Sequence, residues 1–409
     1  MAGIKPIKIG LVGSGAISYT YLNTLTSGFS AVEVAGCSDL IPERSKARAE
    51  LFGIRQMTTE EIMADPEIEL VVNTTQLWNH NKVTKMALEA GKHVYSEKAM
   101  GHEFEGAKEN YDLAKKKGLL VGSAPDCYMG AAWQTARKLV DDGYIGMPLV
   151  CYSMCMRGYG SHEQGGAMPP GFIADPMMGA RGTTVTYDMG GYYINVLINL
   201  FGAVKRVSGF SQVFTGDRMH SNTKNDHYGE KIIKEGGENV MLGALEFESG
   251  VYGALVLCSE AFSPETPRVD IYGTEGHLTL PDPNNFGGWG NDVIIFRRKG
   301  SGRESFKVPF THGFGDTDPG IMPKSGKGEP CHNSWRGIAV VDMAYAIRRG
   351  RPARSSAELA LHVVEIIDSI DKSNADNQVY TLSTRPAKPA ALKPGYYGAA
   401  SIMEASLDI

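Results

Sequence analysis

The residues of this 409-residue chain best suited to chemistry fall at turns that close β-branched runs. Gly13-Ser14-Gly15-Ala16-Ile17-Ser18 follows the run KIGLVG and opens a helical stretch. In that context Gly13 permits a tight turn and Gly15 lets the backbone approach a pyrophosphate. The N–H groups at Ala16 and Ile17 then hold the anion at a helix N-terminus. Ser18 stands where a third small residue is expected. Asp39 closes the next run, where a carboxylate accepts hydrogen bonds from an adenosine ribose and repels a 2′-phosphate. NAD is therefore expected over NADP, although Arg44 on the following helix would suit the phosphate. Further along, Glu97-Lys98 closes HVYSEKA. Ligands of doubly wound sheets bind at the carboxyl ends of strands, so a lysine there donates to a substrate hydroxyl and biases a neighbouring acid–base group towards its anion.

The elements that must position these residues are legible in the periodicity. Over residues 1–125, apolar runs alternate with helical stretches, a rhythm that calls for βαβ units and a parallel sheet covered on both faces. Ile17, Tyr21 and Leu25 recur at helical spacing, Pro42 opens a helix, and Gly91 ends one. After Pro125 strand follows strand through Glu248-Ser249-Gly250 and Gly273-Thr274-Glu275-Gly276, which predicts a mostly antiparallel sheet. Helices are expected from Trp335 to Arg349 and from Ala357 to Ser373. The fold class is thus α/β: an N-terminal Rossmann doubly wound parallel sheet plus a C-terminal α/β domain with a large open, mostly antiparallel sheet. Boundaries are expected at 1–125, 126–384 and 385–409, the last an extended tail rich in Pro and Ala.

Four segments together resemble the glucose-fructose oxidoreductase / inositol dehydrogenase (Gfo/Idh/MocA) family: GLVGSGAIS, VVNTTQLWNHNKVTKMALEAGKHVYSEKAM, DMGGYYINVLINLFG and, later, IYGTEGHL. Thr75 and His80 stand in the family's Thr-Pro-x-x-x-His stretch, and Glu97, Lys98 and Ala99 in its Glu-Lys-Pro. By this resemblance Thr75, His80, Glu97 and Lys98 line the cofactor. Asp188, Tyr192 and Asn195 match the family's D-x-G-x-H-x-x-D motif, with tyrosine in the histidine place and asparagine in the last acidic one. Offsets of 0, 4 and 7 put the three on one face of a helix. Gly190 and Gly191 would let a ligand come close, and Asp188 would suit a helix cap. Oxidising an alcohol needs a hydride acceptor and a group that takes the hydroxyl proton. The resemblance puts Lys98 and Tyr192 at the reacting carbon. Tyr192 is then the proton acceptor, helped by positive charge from Lys98 and an oxidised nicotinamide, and Asp188 an orienting or relaying carboxylate. Tyr193 is the adjacent rival.

The substrate class follows from the resemblance: a ring hydroxyl of a sugar, cyclitol or glycoside. Two rivals are an NAD-dependent glycosidase or lyase that oxidises its sugar transiently with tightly held cofactor, and a catalytically silent nucleotide-binding regulator. Arg157 and His162, on a Gly/Pro-rich loop, are further candidate substrate contacts. His220 and His227 flank a polar segment without a compact ligand set, so no metal is expected. Trp289 and the stretch from Phe310 to Trp335 would suit a lid or an assembly arm. A net charge of -5, with 41 basic against 46 acidic residues, excludes a nucleic acid as the default partner. No membrane segment or cleavable leader is apparent, and the six cysteines lack metal or disulfide spacing. The expectation is a cytoplasmic homodimer or homotetramer with reduced thiols.

Overall fold

The computed structural model describes residues 4–101, 103–156, 185–214, 238–259, 261, 268–288, 292–315, 335–397 and 400–408. The first sheet holds six parallel strands: β1 (Ile7–Val12), β2 (Val32–Ser38), β3 (Arg55–Gln56), β4 (Leu70–Asn73), β5 (His93–Ser96) and β6 (Val121–Ser123). Their order is β3-β2-β1-β4-β5-β6, so the chain reverses direction of travel between β1 and β4. Such a switch point leaves a crevice at the carboxyl ends of the strands, where ligands bind. The crossovers are α1 (Ala16–Leu25), α2 (Pro42–Phe52), α3 (Thr59–Ala64), α4 (Leu77–Glu89) and α5 (Phe104–Lys117). Their ends follow local chemistry. Pro42 begins α2, Thr58 and Glu61 form a capping box on α3, and Gly118 closes α5 at φ 66° after Lys115–Lys117.

After α6 (Ala131–Asp141) the second sheet begins with β7 (Pro148–Met156). Two helical pieces follow, α7 (Val185–Asp188) and α8 (Gly190–Phe201). The remaining strands are β8 (Val204–Gln212), β9 (Val240–Phe247), β10 (Tyr252–Cys258), β11 (Arg268–Gly273), β12 (Gly276–Leu280), β13 (Val293–Lys299), β14 (Gly302–Val308) and β15 (Tyr380–Thr381). The order is β14-β13-β12-β11-β7-β10-β9-β8-β15, antiparallel except where β7 runs parallel to β10. This is a large mixed, mostly antiparallel sheet. One face packs on the helices, and the other turns Phe210, Leu242, Tyr252 and Val150 outward through paired register positions.

The last two long helices, α9 (Ile338–Arg349) and α10 (Ala357–Asp376), join the sheets. α9 lies on α1 and β6, while α10 packs on β8 and reaches α5 and α8. The segment from Arg385 lies on its own chain: Leu392 N–H donates to Gln134 (2.9 Å), and Arg354 Nε donates to the Ala390 carbonyl (2.9 Å). Past α11 (Ala400–Met403), the Glu404 carboxylate accepts from Ser30 N (2.8 Å) and Ala31 N (2.7 Å), just before β2. Among the described residues no helix is long and apolar enough to cross a membrane, and no His, Cys, Asp or Glu group is arranged to hold a metal. None of the described cysteines forms a disulfide.

Candidate active site

The glycine turn is built as the crossing of β1 into α1 demands. Gly13 has φ 100°, and a Cβ there would lie 2.7 Å from the Thr74 carbonyl carbon and oxygen and from Thr75 N. Only glycine fits that close approach of two backbones. Gly15 is different in kind: a Cβ on it would meet nothing within 4 Å. It opens onto space in front of α1, whose N-terminus carries no side-chain cap. An uncapped helix start behind a bare glycine is a cradle for an anion, so the residues present fit a dinucleotide pyrophosphate. Asp39 borders the same turn, its Oδ2 accepting from Ser14 N (2.6 Å) and its Oδ1 from Ile41 N (2.8 Å). Arg44, the residue that would suit a 2′-phosphate, lies exposed on α2. Arg48, one helical turn on, packs against the glycine turn, donating to Ser18 Oγ (3.1 Å) and the Gly15 carbonyl (3.3 Å) and lying 5.4 Å from the Tyr19 ring centroid.

Lys98 lies two residues past the end of β5, at the carboxyl edge of the sheet expected for it. The Lys98–Ala99 peptide bond is cis. Its ammonium donates to the Asp188 carbonyl (2.9 Å) and forms an ion pair with the Asp188 carboxylate. It also lies 5.5 Å from the centroid of the Tyr192 ring. Burial works against the lysine's charge, but Asp188, Tyr192 and Glu97 more than offset it, so the ammonium is held protonated. Glu97 is buried and spoken for: its carboxylate accepts from Tyr21 OH (2.7 Å) and Lys98 N (3.0 Å). His80 is buried with its ring nitrogens 2.8 Å from the Ala99 carbonyl and 2.9 Å from the Thr75 carbonyl. It ties the β4 and β5 loops together, and burial lowers its pKa. Thr75 Oγ1 turns to Asn73 (2.6 Å).

The segment carrying Asp188, Tyr192 and Asn195 departs from the expected single helix. α7 stops at Asp188 and α8 starts at Gly190, with Met189 between them as N-cap and no side-chain cap. Asp188 therefore does not cap the helix; it turns to Lys98. Gly190 serves packing: a Cβ on it would sit 3.1 Å from Leu257, so its absence lets α8 close on the core. A Cβ on Gly191 would meet Pro125 at an ordinary 3.5 Å, and Gly191 faces the cavity beside Lys98. Tyr192 is buried next to Lys98, whereas Tyr193 points to Asp282 (3.2 Å). Asn195 donates to the Pro125 carbonyl (3.4 Å), and its Oδ1 has no partner among the described residues. With Lys98, Tyr187 and Gly191 it lines a small cavity with room for about one water. Arg157, His162, His220, His227, Trp289 and most of the stretch from Phe310 to Trp335 lie outside the described residues.

Two residues that sequence reasoning passed over complete the cluster. Arg336 brings its guanidinium 5.4 Å from the Tyr192 ring centroid, and Asp126 accepts from Gly337 N (2.7 Å) and Ala339 N (3.2 Å) at the start of α9. Neither belongs to a motif; the only local signal was the glycine after Arg336 ahead of an apolar helix. Burial holds the Tyr192 phenol up at about 12 even with Arg336 and then Lys98 pulling it down. A buried tyrosine beside two cations and an ion-paired carboxylate is an arrangement that can exchange a proton with a bound hydroxyl.

Comparison with known proteins places this geometry. Residues 7–124 match the model of the oxidoreductase family with an NAD-binding Rossmann fold, and residues 133–279 match the GFO/IDH/MocA C-terminal domain. An inositol 2-dehydrogenase/D-chiro-inositol 3-dehydrogenase of Lactiplantibacillus plantarum is 30% identical over 156 residues, 37% of this chain and 44% of that protein. An uncharacterized oxidoreductase of Schizosaccharomyces pombe is 30% identical over 49% of this chain and 53% of its own length. The chain thus spans about half the length of these curated relatives. A 1,5-anhydro-D-fructose reductase of Ensifer adhaerens is 25% identical over 66% of this chain and 74% of that protein. Levoglucosan dehydrogenase in complex with NADH shares the fold at TM-score 0.73 and 19% identity, covering 93% of this chain and all of that one (100%). With both family models matched in order, and a parallel six-stranded sheet followed by a mixed nine-stranded one, the chain belongs to the Gfo/Idh/MocA family of oxidoreductases with an NAD(P)-binding Rossmann fold.

Proposed function

We propose that the protein transfers a hydride between a ring hydroxyl carbon of a sugar, cyclitol or glycoside and a nicotinamide cofactor, with NAD preferred to NADP. The observation that carries this reading is the convergence of Lys98, Asp188 and Tyr192 at the carboxyl end of β5, in the crevice the glycine turn opens. Relatives named for inositol, anhydrofructose and levoglucosan support the substrate class. When bound, the oxidised nicotinamide supplies a hydride acceptor and a positive charge.

Gly15 and the α1 N-terminus hold the pyrophosphate, with Ala16 and Ile17 N–H groups directed at it, and the Asp39 carboxylate takes the ribose hydroxyls. Leu40, 92% exposed beside Asp39, offers an apolar surface to an adenine ring. Lys98 binds the substrate hydroxyl as a donor and keeps its oxygen oriented. Tyr192 accepts the hydroxyl proton, and Asp188 fixes the Lys98 ammonium and relays charge towards solvent through its more exposed side. Thr75, His80 and Glu97 hold the loops around this centre. The sheet's outward apolar face, with Phe210, Leu242 and Tyr252, supports assembly into a homodimer or homotetramer.

The test is a panel of inositols, monosaccharides and glycosides with NAD and with NADP, followed by the absorbance of the reduced nicotinamide. Net NADH from a polyol supports the proposal. Cleavage of a glycoside without net NADH favours transient oxidation instead, and a strict NADP requirement overturns the reading of Asp39.

A further inference from the structure

Lys98 alone is an incomplete source of positive charge for Tyr192, because its ammonium is already paired with the Asp188 carboxylate. Arg336 differs. Among the described residues no carboxylate lies within ion-pair distance of its guanidinium. Instead Nη2 donates to the Asn284 carbonyl (3.2 Å) and to the Asn284 side chain, and Nη1 approaches Cys127 Sγ (3.9 Å). The turn that presents it is fixed from behind. Gly337 adopts φ 102°, and the Gly337 and Ala339 N–H groups bind Asp126. The charged and titratable groups facing Tyr192 are Lys98, Arg336, Cys127 and Glu97, with Asp188 bound to Lys98 and Asp126 behind Arg336.

We infer that Arg336 is a positioning residue that acts through Tyr192: its guanidinium is the second cation that stabilises the phenolate and sets the pH at which Tyr192 takes the substrate's hydroxyl proton. The inference rests on the reading of Tyr192 as proton acceptor. In that step the substrate O–H bond breaks, the phenol O–H bond forms, and the negative charge leaves the ring flanked by the two cations. A unit charge about 5 Å away in a partly buried site moves an ionisation by about one to two pH units.

The experiment is the pH dependence of kcat/KM for NAD-linked oxidation by the full chain, using the best polyol of an inositol and levoglucosan panel. Wild type is compared with Arg336→Met and Arg336→Lys. In Arg336→Met the ascending limb is expected to rise by about one to two pH units, a loss of roughly ten- to a hundredfold below the limb that is recovered at high pH. Arg336→Lys is expected to keep the limb near its wild-type place. A limb unmoved in Arg336→Met, or an equal loss at every pH, overturns the inference. Should Arg336→Met not fold, Arg336→Gln is the second variant: it removes the charge while keeping a donor for the Asn284 carbonyl, and an unmoved limb there also overturns the inference. Titration of 13Cζ-tyrosine in the NAD complex, with Tyr192→Phe to assign the resonance, separates the two readings. If wild type turns over nothing, the proposed function fails, while a Tyr192 titration that moves in Arg336→Met still upholds the electrostatic link.

Discussion

The glycine turn makes two neighbouring substitutions diverge. Gly13→Ala places a Cβ at φ 100° and 2.7 Å from the Thr74 and Thr75 backbone. The left-handed backbone alone costs about 1–2 kcal/mol for an L side chain, and overpacking against atoms that cannot rotate away adds about 1–3 kcal/mol. A loss of roughly 2–5 kcal/mol in folding stability is therefore expected. Gly15→Ala meets nothing within 4 Å, so its stability should stay within about 0.5 kcal/mol of wild type. The new methyl instead fills the space a pyrophosphate must enter, and a fall in NAD affinity of at least tenfold, about 1.4 kcal/mol, follows. Urea unfolding of the apoprotein reads the first effect and calorimetric NAD titration the second. Wild-type NAD affinity in Gly15→Ala would refute the cradle, and wild-type stability in Gly13→Ala would refute the backbone contact.

Three further outcomes follow from the same structure. Burial raises Asp126 to about 6 from the usual 3.8, so its contribution to stability is complete below about pH 3.8 and is lost as pH rises through about 6. Asp126→Asn, which keeps the acceptor for α9, should flatten the fall in unfolding free energy between pH 4 and 6, worth of order 2–3 kcal/mol. His362 has the opposite sign: burial lowers it to about 4 while its Nε2 accepts from Val204 N (2.9 Å), so its contribution is present above the usual 6.5 and is lost as pH falls through about 4. His362→Gln should lose that acid-side dependence, of order 3 kcal/mol, in the same urea titrations. Asp39→Ser should raise the NADP-to-NAD ratio of kcat/KM by at least about tenfold, checked by parallel kinetics with both cofactors, since a carboxylate no longer faces the 2′-phosphate.

Local backbone chemistry was the part of this protein most open to reading. The strand–glycine–helix turn, the Pro42 start of α2, the Gly91 end and the hairpin turns are decided by residues close in sequence, and the Rossmann order follows from the βαβ rhythm. Lys98 was legible because it stands one residue past a buried run. The cluster around it was less so, for reasons of geometry. Asp188 and Tyr192 were expected on one face of a single helix, but the helix breaks at Met189; Asp188, at the end of the first piece, pairs with Lys98, and Tyr192, in the second, lies beside it. Gly190 and Gly191 were read as space for a ligand; Gly191 does line the cavity beside Lys98, but Leu257 packs on Gly190, a contact with no local signal. Arg336 lies 144 residues beyond Tyr192 and reaches it only because α9 folds back onto the first sheet. Arg48 reaches the glycine turn for a similar reason: it lies one helical turn beyond Arg44 along the same face of α2, which brings it level with Gly15 and Ser18.

The central claim is that Lys98 acts on the reacting hydroxyl and not on the cofactor's hold. The direct measurement pairs NADH formation from a polyol substrate with NAD affinity in Lys98→Met. Turnover should disappear, while the NAD Kd stays within about threefold of wild type, a difference below 1 kcal/mol. Turnover at the wild-type rate in that variant, or loss of NAD binding together with activity, would contradict the account.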